Sequence, residues 1–259
     1  PLPKPPPLKD VPRIFGRYGI SPDELKRLLL STPKPDLVMV TSKMTYWYTG
    51  VRETISTLRE ILGDVPIVLG GTYATLCYEH ALESSGADLV VRGEGELEAL
   101  RIADEITGNR SDLSRYDPMD LDTLPLPAHD LMPKRDGRLP YAALLTSRGC
   151  PMSCTYCASK LLFPRFRRRS PEGVLEEMER CHVDFGVVDF AFYDDALLVD
   201  AEEHVIPILE GVISRGLRVR FHTPNGLHVR FITPHLAELM RRAGFKTVRL
   251  GLETADEKR

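Results

Sequence analysis

The run Cys150-Pro151-Met152-Ser153-Cys154-Thr155-Tyr156-Cys157 places three thiols within eight residues, at a C-x3-C-x2-C spacing. Thiolates are the soft ligands that iron–sulfur clusters require. A tight loop can bring three of them to one face of a cubane, and a [4Fe–4S] cubane then keeps one iron without a protein ligand. An open metal position is where a substrate or cofactor binds. A zinc site would need a fourth ligand. Cys181 and His182 are the candidates, but both fall in a predicted helix farther along, with no second C-x2-C pair. A disulfide is poorly served, because three cysteines this close pair badly and leave one over.

Other residues that could do chemistry stand at the ends of predicted strands. Asp194 and Asp195 follow a strand over 187–193. Asn225 follows one over 219–222, and Glu253 follows one over 247–252. Each has a structural alternative: an aspartate turn or helix cap, a left-handed turn formed with Gly226, a satisfied core position for His222. Cys77 and Cys181, each in a predicted helix, read as buried and inert. The basic run Arg165-Phe166-Arg167-Arg168-Arg169 reads as a solvated face, with an anion such as a phosphate as its other possible partner.

The cysteine loop, with a strand before it and a helix after it, resembles the signature of radical S-adenosylmethionine (SAM) enzymes. That resemblance implies a 4Fe-4S cluster held by Cys150, Cys154 and Cys157, with SAM chelating the open iron through its amino and carboxylate groups. One electron from the cluster then cleaves SAM to a 5′-deoxyadenosyl radical. An electron donor such as a flavodoxin or ferredoxin is implied as a partner. Tyr156, just before the third cysteine, is expected against the adenine. Asp194 and Asp195 stand where the family has a G-G-E-like motif, and their Asp-Asp form resembles the cobalamin-dependent branch. Carboxylates there would accept charge-assisted hydrogen bonds from SAM's ammonium. Asn225 is a similar candidate, and Glu253 resembles the residue that meets the ribose hydroxyls.

The elements that must position these residues form two α/β blocks. Residues 1–35 are a proline-rich lead, containing Arg13, Arg17 and Tyr18, followed by a helix. Ser21-Pro22-Asp23-Glu24 supplies that helix with an N-cap, a first-turn proline and a capping box. Over 36–107, apolar runs at 37–40, 65–69 and 88–91 alternate with helices at 51–62, 74–85 and 96–106, which implies a parallel sheet. Prolines at 118, 125, 127, 133 and 140 mark 108–140 as a linker. From 141 to 259 a strand-then-helix unit recurs four times, beginning with a strand over 141–147 and with Asp200 and Glu203 capping one helix, and the last helix is missing. Radical SAM cores are usually six-unit partial (β/α) barrels, so these are expected to be the first four strands. The cluster then belongs at their carboxyl ends.

In the first block, Ser42-Lys43-Met44 and Gly70-Gly71 end two strands, with twenty-five residues between them. Ligands of such sheets bind at the carboxyl ends of the strands. The pair resembles the S-x-L…GG half of the cobalamin-binding Rossmann-like domain, with Met44 where that pattern has leucine and without its D-x-H-x-x-G element. The resemblance implies Ser42 near the nucleotide base of the cobalamin tail, and Gly70 and Gly71 letting that tail pass close to the backbone. Met44, Tyr46 and Trp47 could floor a corrin ring.

Composition narrows the rest. Across 259 residues, 34 basic and 37 acidic side chains give a net charge of −3, which offers no global pull toward nucleic acid or anionic membrane. No apolar run reaches the length of a membrane helix. Five cysteines, three of them clustered, suit metal chemistry in a reducing cytoplasm. With Pro1 first and no initiator methionine, and a final strand close to Arg259, both ends read as truncated. The expectation is a cobalamin-dependent radical SAM enzyme with a small-molecule or unknown substrate. The alternatives are a radical SAM enzyme without cobalamin and a non-catalytic iron–sulfur sensor.

Overall fold

A computed structural model describes residues 3–4, 6–14, 16 and 19–252. Arg17, Tyr18 and Glu253 lie outside the described residues. The chain divides into two compact units, Pro1–Ser111 and Asp112–Arg259.

The first unit opens with helix α1, Pro22–Ser31, capped as its sequence predicts: the Ser21 hydroxyl accepts from the Glu24 N–H at 3.1 Å. Strands β1 (Val38–Ser42), β2 (Ile67–Gly71) and β3 (Leu89–Val90) form a parallel sheet in sequential order. Helix α2, Tyr48–Leu62, crosses from β1 to β2 and buries Val51, Ile55, Leu58 and Leu62 against the sheet. The helix expected over 74–85 is two, α3 (Thr72–Leu76) and α4 (Tyr78–Ser84), broken at Cys77, whose ψ of 47° leaves helical geometry. Helix α5, Glu96–Thr107, ends on left-handed Gly108.

In the second unit the strand expected over 141–147 is also two, β4 (Ala142–Leu144) and β5 (Ser147–Arg148). The chain leaves the main sheet at Thr146, whose N–H goes to Asp194 instead of a ladder partner. After the cysteine loop come α6 (Ser159–Leu162), β6 (Arg167–Arg168), α7 (Pro171–Phe185), β7 (Asp189–Phe192), α8 (Val205–Ser214), β8 (Arg220–His222), α9 (Pro234–Ala243) and β9 (Phe245–Thr247). The last strand sits earlier than expected, with a single bridge from Leu227 to Leu250 beyond it. β4, β7, β8 and β9 make a parallel sheet in sequential order, each joined to the next through a helix. This is the repeat of a (β/α) barrel. One sheet face packs Phe190, Phe192, Phe221 and Phe245 against the helices, with Phe192 and Phe245 stacked at 5.9 Å. β5 and β6 pair antiparallel and close the base of the cysteine loop.

Three expectations change here. The stretch expected as a linker is a strap packed on the second unit from Asp112 onward. Leu121 and Leu139 are buried, the Leu139 N–H donates to Phe185 O at 3.0 Å, and Asp122 accepts from the Ser170 N–H at 2.6 Å. The arginine run is not a free solvated face either. Arg167 is buried and donates to Pro118 O, Arg168 pairs with Glu203 at 3.2 Å, and Arg169 pairs with buried Glu177. Asp200 makes no cap: it takes a left-handed φ of 48° and lies beside Arg168, while α8 starts five residues later.

Candidate functional site

The cysteine loop leaves the carboxyl end of β4, and Asp194 and Asp195 leave the carboxyl end of the adjacent β7. Gly149 opens the loop with φ +83°, and a Cβ there would stand 3.0 Å from Arg165 O and 3.2 Å from Phe163 O. Only glycine closes the loop this tightly. Cys150 and Cys154 are partly buried and Cys157 is exposed, and all three are free thiols. Burial pushes the Cys150 thiol above its ordinary range, and the Asp195 carboxylate and the other two thiols add to the rise. These groups are therefore electrostatic neighbours.

Among the described residues no three His, Cys, Asp or Glu side chains converge on one point as ligands of a single ion would. A cubane gives each thiolate its own iron, so its ligands are spread more widely than those of zinc. Three free thiols on one glycine-opened loop fit that group. The bound metal would favour the thiolates and reverse the rise at Cys150.

Asp194 is buried, 3% exposed. Its Oδ1 accepts from the Thr146 N–H at 3.0 Å, the Thr146 hydroxyl at 2.8 Å and the Ser147 hydroxyl at 2.6 Å. Its Oδ2 is buried with no hydrogen-bond partner. Burial raises its pKa, against hydrogen bonds from Ser147 and Thr146 that lower it. Behind Thr146 lies buried His204, with Nε2 2.8 Å from the Thr146 oxygen. The single Thr146 hydroxyl proton is given to Asp194, so His204 is the donor, a neutral ring with its proton on Nε2. Burial holds its pKa down at about 4, assisted by Arg168 and Arg169. Asp195 is exposed, and its Oδ2 accepts from the Ser159 hydroxyl at 2.7 Å. Asn225 reaches from the loop after β8 and donates to Tyr193 O at 2.7 Å, which fixes the turn that bears both aspartates. Tyr156 is 70% exposed on the loop.

Thr146, Ser147, Ser159 and His204 carry no functional signal in the sequence. Hydroxyls beside a loop carry no spacing signal, and only the fold brings them to the aspartates. The sheet face away from the helices carries a cleft of about 300 Å³, lined by Tyr141, Tyr193, His222 and Arg249 among others. His222 is satisfied there, between Asp189 at 3.0 Å and Thr247 at 3.1 Å.

In the first unit, Ser42 pairs with Gly71 across β1 and β2, so the two expected cobalamin segments do adjoin. The Ser42 side chain, however, is buried and donates to Met44 O at 3.0 Å, which ties its own turn. The two glycines differ. Gly71 has φ +89° and ψ −166°, and a Cβ there would stand 2.5 Å from Thr41 Oγ1 and 2.7 Å from Ser42 O. Gly70 has nothing within 4 Å of its Cβ direction. Gly71 is therefore required by the strand pair itself, whereas Gly70 has the open side that a close ligand needs. Met44, Tyr46 and Trp47 are exposed beyond β1, with the Tyr46 and Trp47 rings edge to face at 6.0 Å. An open glycine and exposed apolar side chains at the carboxyl edge of a parallel sheet fit a corrinoid.

The profile of the radical SAM superfamily matches residues 144–259, and that of the B12 binding domain matches residues 18–102. The chain belongs to the radical SAM superfamily. The B12-binding domain precedes its radical SAM core, and the cofactors that follow are a 4Fe-4S cluster, SAM and cobalamin. An uncharacterized methyltransferase of Pyrococcus horikoshii is 31% identical over 245 residues, 85% of this chain and 52% of the relative. An anaerobic magnesium-protoporphyrin IX monomethyl ester cyclase of Rubrivivax gelatinosus is 26% identical over 91% of this chain and 47% of its own length. The radical SAM methyltransferase TsrM of Kitasatospora setae, solved with tryptophan substrate and a SAM analogue bound, has the same fold. Its TM-score is 0.72 at 20% identity, covering 92% of this chain and 52% of that one. The chain thus spans about half the length of the relatives it matches. Among the described residues no helix is long and apolar enough to cross a membrane.

Proposed function

We propose that the protein is a cobalamin-dependent radical SAM methyltransferase acting on a small molecule. The reading rests on one arrangement. The three-thiol loop and the Asp194-Asp195 turn leave neighbouring parallel strands at the same end, in a chain that also carries a B12-binding sheet with an open glycine. Two similar proteins, those of Pyrococcus horikoshii and Kitasatospora setae, are named methyltransferases.

Cys150, Cys154 and Cys157 hold the cluster. Tyr156 lies along the adenine of SAM, Asp195 and Asn225 face its methionine end, and Glu253 meets the ribose. Asp194, turned inward, acts on SAM only through the shape of the turn. Gly70, with the turn tied by Ser42 and closed by Gly71, passes the cobalamin tail, and Met44 floors the ring. When bound, the cluster supplies electrons for reductive cleavage of SAM and cobalamin carries the methyl group. A reduced flavodoxin or ferredoxin is the electron source, in the cytoplasm or another compartment that keeps thiols reduced.

The test uses the full-length protein, reconstituted anaerobically with iron, sulfide and cobalamin and given SAM and dithionite. Formation of S-adenosylhomocysteine together with 5′-deoxyadenosine is expected, and Cys154→Ala should abolish both with the iron. Stoichiometric zinc without iron would defeat the cluster assignment. An intact cluster with no cobalamin retained in equilibrium dialysis would reduce the first domain to a scaffold. Absence of any SAM cleavage would leave a redox sensor. The cyclase relative favours a second outcome, ring closure, seen as 5′-deoxyadenosine without S-adenosylhomocysteine.

A further inference from the structure

The two adjacent aspartates do different things at opposite flanks of one loop. Asp194 grips the segment that enters it: three donors from Thr146 and Ser147 meet a single carboxylate oxygen, out of contact with water. Asp195 grips the segment that leaves it: the Ser159 hydroxyl lies two residues after Cys157 and 2.7 Å from the carboxylate. Between these two anchors run Cys150, Cys154 and Cys157. The Ser159 N–H also points to the Cys157 sulfur, at 3.4 Å, so the residue held by Asp195 is the one that touches the third thiol.

The hairpin of β5 and β6 closes the base of the loop. The turn after β7 carries both acceptors, and Asn225 holds that turn by donating to the carbonyl of Tyr193. The charge-assisted bonds are of the strong kind, and those of Asp194 are shielded from competing water.

We propose that Asp194 and Asp195 form a two-sided clamp on the cysteine loop, with Thr146 and Ser147 on one side and Ser159 on the other. They are positioning residues that fix the thiol geometry for the cluster. The inference rests on the cluster assignment proposed above, and goes beyond it by giving the Asp-Asp pair a task that needs no SAM.

The test is therefore made without SAM. The full-length protein is reconstituted anaerobically with iron and sulfide, and the rate of iron loss to a chelator is followed by absorbance. Ser147→Ala should shorten the cluster lifetime by about tenfold, the worth of one buried charge-assisted hydrogen bond, and Ser159→Ala and Asp195→Ala, which act at a water-exposed carboxylate, by about threefold. The Asp195→Ala, Ser159→Ala double variant should be no worse than either single, because one bond is lost in all three. Ser159→Thr, which keeps the hydroxyl, should restore the lifetime. The melting temperature of the cluster-free chain should not move in the Asp195 variant, whose carboxylate lies at the surface. Parent-like lifetimes in all variants, or an Asp195→Ala protein that keeps its cluster and loses only SAM affinity, would overturn the clamp. A parent protein that takes up no iron sinks the cluster assignment and the clamp together, whereas a parent with iron and variants that behave alike sinks the clamp alone.

Discussion

His204 and Asp194 sit at the two ends of one hydroxyl, and their titrations leave opposite marks on stability. The folded pKa of His204, about 4, lies below its ordinary 6.5. Between those values the unfolded chain binds a proton that the native chain refuses, so stability falls as pH falls through that window. The full loss is about 3 kcal/mol, reached near pH 4. Asp194 is raised instead, so its contribution runs the other way, weakening the fold as pH rises through its titration. Urea titrations from pH 7 to pH 4 on the native sequence and on His204→Gln separate the two. The glutamine keeps an N–H for Thr146 and cannot be charged, so the slope between about pH 6.5 and 4 should flatten in the variant. Removing Asp194 is more severe. Asp194→Ala leaves the Thr146 N–H and two hydroxyls buried without an acceptor, and should cost the second unit roughly 3 kcal/mol in denaturant unfolding. Asp195→Ala, at the surface, should cost the fold under about 1 kcal/mol.

Among the elements, the junction of β1 and β2 makes the sharpest claim. Gly71 combines a backbone conformation reserved for glycine with a Cβ direction filled by Thr41 and Ser42. Gly71→Ala should destabilise the first unit by roughly 3 kcal/mol, and Gly70→Ala by under about 1 kcal/mol, as read by thermal unfolding. Gly70→Val is then the clean test of the ligand wall: it should leave the fold intact and remove cobalamin in equilibrium dialysis, whereas Gly71→Val would unfold what it was meant to probe. Most elements were legible beforehand because their signals are local. Ser21, Ser170 and Thr233 each cap a helix behind a first-turn proline, as written in the sequence. The parallel order followed from alternating apolar runs and amphipathic helices. What escaped notice was set by distant partners. The break between β4 and β5 exists because Asp194, forty-eight residues on, takes the Thr146 N–H. The sequence points to Gly-Gly as a pair, but only the register of Ser42 against Gly71 separates their duties.

Across the whole molecule, the strap over 112–140 redraws where the second unit begins. Glu177 is buried between Arg169 and His129, the latter supplied by the strap, and Asp122 holds the start of α7 through the Ser170 N–H. A fragment starting at Asp112 should therefore unfold cooperatively in urea. One starting at Tyr141 exposes the seats of Leu121 and Leu139 and strips buried Glu177 of a partner, so it should aggregate or lose several kcal/mol, of the order of 3–5 where a buried pair is broken. Comparing the two fragments by denaturation and light scattering checks this. Prolines made the segment look like a connector, yet the same residues suit an extended band whose polar groups are met by a neighbouring surface. The four-stranded sheet adds a different kind of consequence. All of its phenylalanines point to the helices, while Ala143, Ala191 and Thr247 line the opposite face near the cleft. Substitutions at its exposed positions, Ala143 among them, leave the packed phenylalanines untouched, so that face can change its shape at little cost to the core wherever Asp189 keeps its hold on Arg220 and His222.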